Sequence, residues 1–181
     1  MKKILVTLFA SFAILSTVNA KSDLLVDYYV GYDYVIQKFA QNDANNSTTQ
    51  KGIGMGGRLF TEFSGDLYLG LGAGFYHIET NDAISGNIAY AQFFVKYLFT
   101  DNIEGFGGLG YAMRGTPDYT TATDLSATGG MGSIGLAFVT KEGWRAEIMY
   151  SYFGFTAEIN ALAEEITSHA FGFHFGKTME F

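Results

Sequence analysis

The chain has 181 residues, with 11 Lys and Arg against 18 Asp and Glu, a formal charge of −7 and no cysteine. That balance excludes nucleic acid as a partner, which wants a basic stripe, and the missing thiols exclude both a disulfide framework and thiolate chemistry. Aromatic residues make up 17% of the chain, with 23 glycines and 1 proline, a composition suited to strands rather than helices.

The first twenty residues, MKKILVTLFASFAILSTVNA, have a basic start at Lys2 and Lys3, an apolar run from Ile4 to Leu15, and a small-residue end at Val18-Asn19-Ala20. This is the layout of a cleaved secretory signal peptide, residues 1–20. The run falls short of the roughly 20 residues that a spanning helix needs. The mature chain, residues 21–181, then reads as one domain, and without Lys2 and Lys3 it has nine basic residues against 18 acidic ones.

From there the sequence alternates. VDYYVGYDYVI (26–36) sets Val26, Tyr28, Val30, Tyr32, Tyr34 and Ile36 against Asp27, Tyr29, Gly31 and Asp33. The same period of two recurs in GIGMGGRLFTEF (52–63), DLYLGLGAGFYH (66–77), IAYAQFFVKYLF (88–99), IEGFGGLGYAMR (103–114), GGMGSIGLAFV (129–139) and WRAEIMYSYF (144–153). The closing HAFGFHFGKTMEF sets Phe171, Phe173, Phe175, Lys177, Met179 and Phe181 against Gly172, His174, Gly176, Thr178 and Glu180. Period two means strands with one greasy face. About eight segments of ~10–13 residues match strands that cross a bilayer at a tilt.

The connections alternate as well. Short turns at 64–66, 100–102 and 141–143 take turns with long polar stretches at 40–51, 79–87, 115–127 and 156–168. In an up-and-down barrel this puts the short turns at one rim and the loops at the other. AEINALAEEI (157–166) in the fourth stretch has the composition of a short helix.

Volume sets the direction of the greasy face. An eight-stranded barrel has an interior just wide enough to be filled by side chains or to hold one small ligand. The apolar faces supply too many large groups for it, whereas the opposite faces have glycines, small residues and the charges. The apolar faces therefore point out to lipid. Tyr28, Phe63, Tyr97, Phe99, Trp144 and Phe181 then fall near the short-turn rim, and Tyr34, Phe75, Tyr111, Tyr152 and Phe171 nearer the loop rim, as two interfacial aromatic girdles. The expected fold is all-β: an eight-stranded antiparallel up-and-down transmembrane β-barrel.

The signal peptide, the strand and loop rhythm, YLGLGAGFY, GFGGLGYA and the terminal Phe181 resemble the small outer-membrane β-barrels of Gram-negative bacteria, the OmpX, opacity-protein and OmpA transmembrane-domain group. The resemblance implies the cell outer membrane as location, its lipids and lipopolysaccharide as surroundings, and delivery by periplasmic chaperones to the outer-membrane assembly machinery, which would read Phe181.

The expected lumen face carries Asp27, Arg58, Glu62, Lys96, Glu104, Arg145, Glu147, His174 and Glu180, mostly in the half nearer the short turns. Charges in a narrow interior are costly unless paired, so this set reads as an ion-pair network or as a gate. His77 with Glu79, and His169 beside Ser168, are the pairs that catalysis at the outer rim would use. The two histidines fall in the lipid-facing phase of non-neighbouring segments, so no catalytic dyad is expected. His174 has no second ligand in phase nearby, so no metal or other cofactor is expected. The functional expectation is a non-enzymatic barrel that presents four loops at the cell surface, for adhesion, envelope integrity or another surface partner. A narrow porin-like channel is the alternative, and a lipid-modifying enzyme a distant third.

Overall fold

The computed structural model describes residues 24–39, 47–79, 86–116, 125–159 and 162–181. The expected signal peptide lies outside the described residues, as do the tips of the four long connections. Eight strands are present: β1 (Leu24–Phe39), β2 (Ser47–Ser64), β3 (Leu67–Glu79), β4 (Gly86–Thr100), β5 (Ile103–Thr116), β6 (Leu125–Val139), β7 (Trp144–Ile159) and β8 (Leu162–Glu180). They pair antiparallel in chain order, and β8 pairs with β1 to close the barrel. At the closing seam Leu24 and Phe181 exchange backbone hydrogen bonds of 3.3 and 3.0 Å. Closure is what a spanning sheet requires, because an edge in lipid leaves a row of unpaired N–H and C=O groups.

The short turns are built by local chemistry. Gly65 and Gly143 have φ of 55° and 82°, a region that L side chains rarely enter. Asn102 in the second turn donates its side-chain amide to the Val139 carbonyl at 2.7 Å, which ties that turn to the end of β6. Register shifts at Glu62/Ser64 and Leu98/Thr100 mark the same rim.

The strands run from 13 to 19 residues, longer than the alternation alone indicates. The added length lies on the loop side. β2 already begins at Ser47, inside the first expected loop. The fourth expected loop is mostly a paired ribbon, with β7 and β8 in register from Thr156↔Glu165 to Ile159↔Leu162. This corrects the short helix at 157–166. Two strands already aligned below add ladder hydrogen bonds at each further step without any new loop closure, and that outweighs a weak local helix preference.

The faces fall as alternation requires. Val30, Ile53, Leu109, Ile134, Leu136, Ile148 and Phe173 are exposed on the outside, and all the girdle residues are exposed with them. On β7 the apolar outer face runs from Trp144 to Tyr152 and gives way to Thr156. Those nine residues match the roughly 9–11 of a tilted spanning strand. Above the loop-side girdle the outer face turns polar, with Thr49, Lys51, Glu79 and Glu165 exposed. Replacing Ile134 with Arg is expected to cost about 2–4 kcal/mol, the penalty for a cation on the lipid face near the midplane. Urea unfolding in lipid vesicles measures it.

Candidate functional site: the charged lumen

Alternation turns one charged residue or more from each of β1, β2, β4, β5, β7 and β8 into the lumen, and the register brings them together. Glu147 is the hub. Arg58 donates both terminal nitrogens to its two oxygens at 2.9 Å each, a bidentate pairing that fixes both groups. Arg145 donates to Glu147 Oε2 from Nε at 3.1 Å and from Nη2 at 2.9 Å. His174 Nδ1 lies 3.0 Å from Glu147 Oε1, and its Nε2 lies 3.1 Å from Asp33 Oδ2.

A second knot sits beside the first. Arg145 reaches Asp27 at 2.5 Å and Glu104 at 2.6 Å. Lys96 Nζ lies 2.7 Å from Asp27 and 3.2 Å from Glu104. Thr178 donates to Asp27 at 2.8 Å and accepts from Arg145 at 3.1 Å. All the charged groups are buried, and Thr178 is half-buried.

Rings complete the shell. The Arg58 guanidinium lies 4.3 Å from the Tyr29 ring centre and 4.2 Å from that of Phe106, and Lys96 Nζ lies 4.3 Å from that of Phe60. A cation between ring faces is stabilised where water is excluded. Paired in this way the charges gain little net stability over an apolar core, but losing one partner is costly. Chemically, the arrangement cross-links six strands and fills the short-turn half of the barrel with paired charges.

The loop half is filled differently. Tyr76, Ile78, Ile88, Tyr90, Phe153, Phe155 and Ile166 are buried there among smaller residues. Tyr76 stacks on Tyr90 at 5.4 Å, and the Tyr29 and Tyr90 hydroxyls hydrogen-bond. This corrects the expectation of a lumen of small residues and charges. Large rings fit because glycines face them across the ladder. Gly72 and Gly108 flank Phe94, and a Cβ on either would come within 2.6 or 2.7 Å of its ring. Gly135 faces Phe106 and Gly54 faces Tyr76 in the same way.

Asp27, Arg58, Lys96, Glu104, Arg145 and Glu147 of the expected lumen set thus come together. Glu62 and Glu180 do not. Glu62 is half-buried and Glu180 exposed, and neither forms an ion pair among the described residues. Both lie at strand ends, where water solvates a carboxylate at no cost in pairing. Asp33 belongs to the network, and sequence reasoning left it out. His174 has two carboxylate neighbours, although none lies in phase on its own strand. The signal was a glycine opposite each: Gly172 pairs with Asp33 and Gly31 with His174, and a Cβ on Gly172 would come within 2.6 Å of His174 Nε2.

The remaining histidines face outward. His77 Nδ1 bonds Asn87 Oδ1 at 2.8 Å, and Tyr150 Oη lies 2.7 Å from His169 Nδ1. Ser168 is buried on the lumen side, so it and His169 occupy opposite faces of β8. At the short-turn rim Lys177 Nζ lies 5.3 Å from the Trp144 ring, its cross-strand neighbour, a cation and indole pair of the kind that anchors a barrel at the headgroups.

No family model matches the chain, and no curated protein does. Solved structures do. The attachment invasion locus protein Ail of Yersinia pestis superposes with a TM-score of 0.55 over 87% of this chain and 99% of its own, at 15% identity. Neisserial surface protein A superposes with a TM-score of 0.57 over 85% and 96%, at 10% identity. At such identities the likeness is one of fold: this chain has the architecture of the small eight-stranded outer-membrane barrels.

Proposed function

We propose that the chain is a non-enzymatic barrel of the Gram-negative outer membrane that acts through what its four loop-side connections present at the cell surface. The observation that supports this reading is the two-tier filling of the lumen, a cross-linked ion-pair network below and packed rings above. With the interior closed, the parts free to meet a partner are the loop-side ribbons and the connections between them. Lipid takes the outer apolar belt, and lipopolysaccharide surrounds the loop-side girdle. The acidic loop sequences favour cations and basic partners over polyanions. Adhesion is one form of such presentation, in keeping with the name of the attachment invasion locus protein.

Single-channel current across a planar bilayer tests the reading, with refolded barrels checked by their heat-dependent gel shift. Folded barrels are expected to be silent. Regular, reproducible conductance steps would overturn the closed lumen and favour a narrow channel lined by Arg58, Glu104 and Glu147.

A further inference from the structure

The network holds four carboxylates, Asp27, Asp33, Glu104 and Glu147, against three fixed cations, Arg58, Lys96 and Arg145. His174 is the remaining member. Its two ring nitrogens face carboxylate oxygens at 3.0 and 3.1 Å, on β7 and β1 respectively. A carboxylate accepts and cannot donate, so both nitrogens are placed to donate, and only the imidazolium has a hydrogen on each. With that proton the charges balance four to four. Without it the network carries one uncompensated negative charge, and either Asp33 or Glu147 faces a bare nitrogen lone pair.

We propose that the proton on His174 is the bolt of the lumen: it joins Asp33 to the Glu147 hub, and its loss loosens the barrel. The groups that act on His174 are few. Asp33 and the Tyr29 ring, 5.1 Å away, come from β1, and Glu147 comes from β7. Arg58 of β2 and Arg145 of β7 act on it through Glu147. No aligned second partner holds Asp33 among the described residues, so Asp33 and His174 form a detachable arm of an otherwise rigid knot. Histidine is the side chain whose charge changes nearest neutrality.

The test is charge rescue in barrels refolded into lipid vesicles and unfolded with urea. His174→Gln keeps the size but leaves four carboxylates against three cations. It is expected to shift the unfolding equilibrium by on the order of a hundredfold to a few thousandfold, the cost of breaking a buried pair. Adding Asp33→Asn restores three against three and is expected to recover most of that shift. A double variant no more stable than His174→Gln, or a single variant as stable as the parent, overturns the proposal. Should His174→Gln fail to fold, Asp33→Asn alone decides. The parent is expected to lose stability as the pH is raised while Asp33→Asn stays level, and a level parent overturns the bolt. The stability readout does not rest on the surface-presentation reading. Conductance of the parent at neutral pH tests that reading separately.

Discussion

Glu147→Ala is expected to destabilise the barrel by about 3–5 kcal/mol, the usual result of removing one partner from a buried ion pair. The reason is its position as hub. Both oxygens are used, by Arg58, Arg145 and His174 from three strands, and all four groups are buried. Removing the carboxylate leaves three cationic groups facing one another with no water to screen them. Glu180→Ala is the matched control. That carboxylate is exposed and outside the network, so its loss is expected to stay within about 0.5 kcal/mol. The chain has a single tryptophan, Trp144, exposed at the short-turn rim. Its fluorescence follows urea unfolding in vesicles without a label. Near-equal effects from the two variants would mean that the network is ornamental and that packing alone holds the lumen shut.

The outer half of the structure was legible in the sequence because lipid imposes one demand on every strand, an apolar residue at each second position. Phe171, Phe173 and Phe175 meet it regardless of what the neighbouring strands do. The lumen obeys a relation between strands instead. Asp27 and Arg58 are in inward phase on their own segments, but that they sit opposite each other is a fact of register. Asp33 lies six residues deeper than Asp27 on the same strand, and only the antiparallel run of β8, which sets Gly31 against His174, gives it a partner. The rings were hidden for the same reason. Tyr76 and Gly54 each read as one inward position, and that one occupies the space the other leaves is visible only once β2 and β3 are paired. Glu62 and Glu180 misled because phase says which face a residue takes and nothing about how near the rim it stands. The ribbon that pairs Thr156–Ile159 with Leu162–Glu165 was missed because local composition favoured a helix while each pairing partner lay on the next strand.

Phe94→Ala is expected to cost about 3–5 kcal/mol, as large-to-small changes at a fully packed ring do. Phe93→Ala, one residue away, should cost far less. Phe94 is fully buried, with Phe60 and Phe106 edge-on at 6.3 and 6.4 Å, the Arg58 guanidinium 5.1 Å from its ring, and glycines on both flanks. Glycines cannot reach into the space that the ring leaves, and the lumen walls are held apart by their ladders, so the cavity persists. Phe93 is 46% exposed on the lipid side, where acyl chains as apolar as leucine fill in behind it. Urea unfolding of the two variants measures the difference, and equal costs would mean that the inner and outer faces of β4 are wrongly assigned. The same pair separates the two tiers in a bilayer recording. Phe94 stands between the charged knot and the rings above it, and it touches Arg58 without carrying charge. If Phe94→Ala conducts, the aromatic tier is part of the seal. If it is less stable yet silent, the ion pairs close the lumen alone, and Glu147 is the residue whose loss opens it.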